Sequence, residues 1–139
     1  RYDVRLMLTP EEEIRRTLAK YAHRHDGHDA EGYADLFTSD GSFSGANAEH
    51  HGRAAVKAFI ANHYQTQPAN RRTKHLCGNS LIDVDGDSAT AITDFVAYER
   101  MDDGPWQVHT IGQYRDRLVR EPDMWRFAER RVVSAAAAH

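Results

Sequence analysis

The chain of 139 residues contains a single cysteine, Cys77. One cysteine excludes an internal disulfide and any cysteine-rich zinc site. Long apolar runs are missing too, since none approaches the roughly 18–20 residues needed to cross a bilayer. No charged-then-apolar stretch resembles a signal peptide, so the expectation is a cytoplasmic protein with no membrane partner. The sequence has no glycine-rich phosphate loop and no HExxH, which argues against nucleotide use and against a metalloprotease-type zinc site. Positive charge is not in excess: 18 Lys and Arg stand against 21 Asp and Glu, a net charge of -3. A nucleic-acid partner would favour a basic surface. Internal repeats and Pro/Gly/Ser-rich linkers are absent as well. The reading is one domain over residues 1–139, with a core at about 10–134 and frayed ends.

What is present begins with a helix. Thr9-Pro10 with Glu12 three residues after the threonine is a capping box with proline at the first helical position. Ile14, Leu18, Tyr21, Ala22 and His25 recur at helical spacing and give one face toward a core. Asp26-Gly27 ends the helix, with glycine supplying the left-handed residue. Asp29 caps a short second helix from about Ala30 to Phe37. Ser39-Asp40-Gly41 reads as a turn. Short strands at Ser42–Gly45 and near His50 pair across Ala46-Asn47-Ala48. A third helix runs from about Arg53 to His63, with Ala55, Val56, Phe59 and Ile60 as its apolar stripe.

After Thr66–Asn70 the period becomes strand-like. Lys74–Val84, Ala89–Met101, Trp106–Val119 and Met124–Val133 are four long strands separated by the turns DVDGD, MDDGP and REPD. The fold class is therefore α+β: three N-terminal helices packed in a curved, mainly antiparallel sheet. A sheet closed by helices at one end leaves a conical pocket suited to a small apolar or aromatic ligand. Phe37, Phe43, Phe59, Phe95, Tyr98, Trp106 and Tyr114 are available to line it. Arg115, Arg117, Arg120, Arg126, Arg130 and Arg131 alternate with apolar residues and read as an outward, solvated sheet face.

Residues 23–29, HRHDGHD, look at first like a metal site. Helical ligands should fall at i and i+3 or i+4, whereas His23 and His25 diverge by about 200°. His25 and His28 have the spacing, but Gly27 interrupts them. His50 and His51 are adjacent and on a strand face opposite ways. The reading is no catalytic metal, with His23, His28, His50 and His63 as surface or turn residues. Cys77 reads as a small buried cysteine rather than a nucleophile.

The order of elements and several stretches resemble the SnoaL-like and scytalone-dehydratase-like branch of the nuclear transport factor 2-like superfamily, over about residues 10–134. The stretches are Tyr21-x4-Asp26, DLFTSDGSF (35–43), HGRAAVKAFI (51–60), KHLCGN (74–79) and WRF (125–127). The resemblance implies a cystatin-like cone whose first helix ends facing the mouth of the sheet. Asp26 matches the helix-end aspartate, and His75 the strand histidine, of the dyad shared by scytalone dehydratase and hexachlorocyclohexane dehydrochlorinase. Tyr21 matches a tyrosine of bile-acid 7α-dehydratases, and His109 falls near the second catalytic histidine of scytalone dehydratase. A homo-oligomer, dimer or trimer, is expected from the resemblance alone.

A carboxylate beside an imidazole fixes the ring's tautomer and stabilises its protonated form. Such a pair can take a proton from carbon and return it to a departing hydroxyl, which is elimination or isomerisation with no cofactor. The plainer alternative is an Asp26 that only caps the helix and a His75 that only satisfies a buried hydrogen bond. Five residues at about 100° each place Tyr21 some 140° from Asp26, so the two converge only if the helix unwinds before Asp26; otherwise Tyr21 is a core aromatic with its hydroxyl hydrogen-bonded. His109 alternates with Ile111 and Gln113, and a bulge would reverse its facing. Asn79, on the face of His75 and Cys77, is either a polar contact on the pocket wall or a ladder-edge or solvent residue. Asp94, on the face of Ile92, Val96 and Tyr98, either contacts substrate or pairs with an arginine such as Arg115. Phe43 and Tyr98 complete the candidate substrate contacts. The same cone can also serve as a binding or assembly subunit, or as a polyketide cyclase.

Overall fold

The computed structural model describes residues 8–45 and 48–135. Sequence expectations for residues 1–7, 46–47 and 136–139 fall outside them. The elements are α1 (Pro10–Asp26), α2 (Ala30–Asp35), β1 (Phe37–Gly45), β2 (Ala48–His51), α3 (Arg53–Thr66), β3 (Arg71–Asp85), β4 (Ser88–Met101), β5 (Gln107–Arg120) and β6 (Trp125–Ser134). Among the described residues no helix is long and apolar enough to cross a membrane.

Local chemistry accounts for the helix ends. The Thr9 hydroxyl accepts the Glu12 amide, while the Glu12 carboxylate turns to Arg15 instead of back to Thr9. Half of the capping box is thus made. Asp29 caps α2 by accepting the Gly32 amide. The left-handed residue after α1 is His28, with φ 54°, and not Gly27, with φ -83°. Histidine is among the residue types enriched there.

One six-stranded sheet has the order β2-β1-β6-β5-β4-β3. β3 to β6 form the antiparallel meander, and β1 joins β6 in parallel. Ser39-Asp40-Gly41 is no turn: it lies inside β1, at an irregularity between Phe37 and Ser42. The helices cover one face and bury Ile14, Leu18, Tyr33, Leu36, Val56 and Ile60 against Phe95, Leu118, Trp125 and Phe127. Polar ties fix their placement. Thr17 donates to the Trp125 carbonyl, Arg53 to the Phe37 carbonyl, and Arg126 to the Asp35 carbonyl and the Asp123 carboxylate.

Three bulges govern which side chains face the helices. In β3 Gly78 pairs with Asp94 but Leu81 with Ile92, and Asn79 takes φ 53° between them. In β5 Thr110 pairs with Ala97 and Val108 with Tyr98, leaving His109 over. In β6 Glu129 pairs with Arg117 but Phe127 with Leu118, leaving Ala128 over. An extra residue shifts the alternation by one and exchanges the faces.

The last bulge overturns the reading of all six arginines as solvated. Trp125 and Phe127 face inward, and after Ala128 the inward residue is Arg130, 1% exposed. Its Nε and Nη2 donate to both carboxylate oxygens of Asp116 at 2.8 and 3.0 Å. The guanidinium carbon lies 4.1, 3.8 and 4.3 Å from the ring centres of Tyr21, Tyr114 and Phe127. Arg126 is buried as well, through its bonds at the α2 terminus. Breaking a buried pair from one side costs about 3–5 kcal/mol, because it strands the other charge. Asp116→Asn is therefore expected to lower unfolding stability by that amount in urea titration. Asp116→Leu combined with Arg130→Met is expected to recover much of the loss.

Candidate functional site

Between the helices and the inner sheet face lies a cavity of about 600 Å³. Its wall is mostly aromatic and aliphatic, with Tyr21, Tyr33, Phe43, Phe59, Ile60, Phe95, Ala97, Tyr114 and Val132. The polar wall residues include His25, His28, His63, Tyr64, Thr73, His75, Glu99, His109 and Thr110. This size and composition suit a small hydrophobic molecule.

The end of α1 meets β3 through Asp26. His75 Nδ1 donates to Asp26 Oδ1 at 2.6 Å, the His75 amide to Oδ2 at 2.9 Å, and the Thr73 hydroxyl to Oδ1 at 3.1 Å. The side chains of His75 and Asp26 are 9% and 15% exposed. Burial pushes the Asp26 carboxyl up, but the His75 ring, the His75 amide and the Thr73 hydroxyl outweigh it and hold the carboxyl below its ordinary value. Asp26 is thus an ionised acceptor that fixes the His75 proton on Nδ1. That leaves His75 Nε2 as the basic nitrogen.

The other candidates separate into two groups. Phe43 lines the cavity. Tyr21 also lines it, but α1 stays helical through Asp26, and the Tyr21 hydroxyl bonds Tyr33 at 2.8 Å. His109, the extra residue of the β5 bulge, reaches the rim, where Nδ1 lies 3.3 Å from Glu99 Oε2. Ile111 and Gln113, expected on its face, point outward instead.

Asn79, Asp94 and Tyr98 are not in the cavity wall. The β3 bulge turns Asn79 and Leu81 outward and brings Ser80 inward, where its hydroxyl bonds Thr93 at 2.9 Å. On β4 the inward residues are Thr93, Phe95 and Ala97, so Asp94 and Tyr98 face away. Asp94 accepts from Asn79 and Gln113 rather than pairing with Arg115. Trp106 is exposed, and Cys77 is an exposed edge-strand thiol rather than a buried one.

The histidines expected at the surface divide too. His28 stacks on Tyr64 with ring centres 4.5 Å apart, and His63 lines the cavity. His50 packs on Phe59 at 4.2 Å. Among the described residues no three His, Cys, Asp or Glu side chains converge as metal ligands.

The residue that sequence reasoning left in the core is His25. Its ring centre lies 4.5 Å from that of His75, and its Nδ1 is 2.9 Å from the Tyr64 hydroxyl. Burial, reinforced by His75 and His63, lowers its pKa to about 3. The available signal was a histidine one helical turn beyond Tyr21, closing an apolar stripe directly before Asp26.

His25 ties pH to stability. Its folded pKa of about 3 lies below the ordinary 6.5, so the unfolded chain takes up the proton first. Its contribution is complete above pH 6.5 and is lost as pH falls toward 3. The span is worth at most about 5 kcal/mol. Melting temperatures measured from pH 7.5 down to 4 are expected to fall more steeply for the wild type than for His25→Gln.

The sequence matches the SnoaL-like domain family over residues 7–131. Three solved structures are similar. The first is Rv3472, a protein of unknown function from Mycobacterium tuberculosis solved as an Asp-to-Asn variant. It is 31% identical, with TM-score 0.79, over 88% of this chain and 69% of that one. An NTF2-like protein with a cystatin-like fold from Novosphingobium aromaticivorans is 31% identical, with TM-score 0.82, over 96% and 89%. A provisionally named scytalone dehydratase from the same organism is 27% identical, with TM-score 0.78, over 90% and 83%. None of the curated proteins matches. With its family match spanning most of its length, and with this sheet, these helices and this cavity, the chain belongs to the SnoaL-like domain family of the NTF2-like, cystatin-like fold.

Proposed function

We propose that the chain is a cofactor-independent lyase of the dehydratase type, or an isomerase, acting on a small hydrophobic hydroxy or carbonyl compound. His75 is the general acid/base and Asp26 its orienter. The observation that carries this reading is the 2.6 Å bond between Asp26 and His75 at the wall of a largely apolar 600 Å³ cavity. A cavity filled by core side chains would favour a scaffold, and this one is open. His75 Nε2 takes a proton from the carbon beside a carbonyl, and the imidazolium, stabilised by Asp26, returns it to a leaving hydroxyl or to another carbon. The 27% identical, provisionally named scytalone dehydratase supports the same class.

The test uses 1-tetralone, a hydrophobic bicyclic ketone, in D₂O. Proton NMR reads deuterium uptake at the carbon next to the carbonyl. The protein is expected to accelerate exchange above buffer, and His75→Gln to abolish the acceleration. Asp26→Asn should slow it about 100-fold or more. Full activity of Asp26→Asn would sink the dyad. A ketone that binds without exchange would leave the alternative, a small-molecule-binding subunit of the same fold.

We also infer that the outer sheet face joins copies of the chain. Leu76, Val96 and Ile111 form one cross-strand row there, flanked by Val108, Leu81 and Ile92. Leu76, Ile111 and Val108 are each about half exposed, and Leu81 is 70% exposed. A contiguous apolar patch of this kind marks an interface. Sedimentation velocity is expected to give a dimer or trimer for the wild type and a monomer for Ile111→Glu. A wild-type monomer at micromolar concentration would refute the interface.

A further inference from the structure

His25 is one of the polar groups in the cavity wall that the dyad chemistry does not use, and its hydrogen bonding decides what it offers. Its Nδ1 lies 2.9 Å from the Tyr64 hydroxyl. A phenol is the better donor and an imidazole nitrogen the better acceptor, so the Tyr64 O–H donates and Nδ1 accepts. The ring proton is therefore on Nε2, and among the described residues no group bonds that N–H. Burial pushes the Tyr64 phenol well above its ordinary range, so it stays a donor across the physiological pH range. Burial keeps the His25 ring uncharged. Around it stand His63, Tyr21, Tyr33, Tyr64 and His75, all within 6.1 Å between ring centres. The nearest of these is His75, at 4.5 Å. Other donors are less suited. The hydroxyls of Tyr21 and Tyr33 are buried and bond each other, and His109 sits at the rim with Glu99.

We propose that His25 is a catalytic residue whose Nε2–H binds the carbonyl oxygen of a β-hydroxy ketone while His75 works on the adjacent carbon. This deepens the dyad reading and rests on it. His75 Nε2 removes the proton from the α-carbon. The C–H electron pair becomes the C=C of an enolate, and the carbonyl π pair moves onto the oxygen held by His25. The enolate then re-forms the carbonyl, its C=C pair makes the α,β double bond, and the C–OH bond breaks. The hydroxyl leaves with the proton carried by His75, giving an enone and water with no co-reactant. A neutral imidazole suits this role, because it stabilises the developing oxyanion without bringing a second cation beside the His75 imidazolium.

Two measurements test this. In the wild-type protein, ¹⁵N NMR of labelled histidine should give His25 the Nε2–H tautomer, with Nδ1 unprotonated, from pH 8 to 5. Tyr64→Phe should weaken that preference. In the second, the infrared carbonyl stretch of ¹³C-carbonyl 1-tetralone is read in the protein. It should move to lower frequency than in hexane, keep that shift in His25→Gln, and lose it in His25→Phe. Deuterium exchange should slow on the order of 100-fold in His25→Phe. His75→Gln separates the two claims: it should abolish exchange yet leave the carbonyl shift intact. If exchange is absent in the wild type while the shift depends on His25, the dyad reading falls and His25 stands as the carbonyl-binding group. An Nδ1–H tautomer, an unshifted carbonyl, a shift that survives His25→Phe, or a ketone that does not enter the cavity overturns the proposal.

Discussion

The Arg130 guanidinium is enclosed by three aromatic rings and one carboxylate, and the inner face of the sheet is arranged around it. Asp116 meets it from β5, Tyr21 from α1, Tyr114 from β5 and Phe127 from β6. Burial alone would drive the charge off both partners. The two hydrogen bonds and the ring faces hold Arg130 cationic, with its pKa raised. From this centre the contacts run outward to the cavity. Tyr114 stacks on Phe95 at 4.3 Å, and the Tyr21 and Tyr33 hydroxyls bond each other. A charge that must be surrounded on all sides fixes several rings at once, and two of them, Tyr21 and Tyr114, line the cavity.

Asp26 plays the corresponding part at the helix end. Its two oxygens accept three hydrogen bonds from one strand, two of them from His75. The bonds that dock α1 on β3 are the ones that orient the imidazole. The same atoms dock the helix and hold the His75 ring in a fixed tautomer. His25, one residue earlier, points to the cavity from the same helix turn. Two rings 4.5 Å apart then differ in character, one against a carboxylate and one against a phenol.

Much of this was legible in the chain. Thr9-Pro10, Asp29 and the switch from helical to alternating periodicity locate the helices and the long strands. Gly86 sits in a left-handed turn where DVDGD requires one. Asp26 and His75 are in contact across 49 positions, as the resemblance implied. His25 was not legible as a site residue, because a histidine on an apolar stripe is indistinguishable from a core residue until its neighbours are known. His28 and His63 were not legible either, since their positions read as surface or turn residues. Their place in the wall depends on Tyr64 and on how α3 packs, neither of which is local.

The strands show where the division falls. Alternation by itself determines that residues two apart share a face, and for Phe95, Ala97 and Glu99 on β4 that is enough. It cannot determine where the count slips. Single extra residues at Asn79, His109 and Ala128 exchange the faces of β3, β5 and β6. They send Asn79 and Leu81 to solvent, put His109 on the rim, and bury Arg130 in place of Arg131. The sequence determined the elements, their order and the Asp26–His75 pair, because capping, periodicity and the family pattern are written locally. The tertiary structure decided which side chains line the cavity, because a bulge is set by pairing with a neighbouring strand.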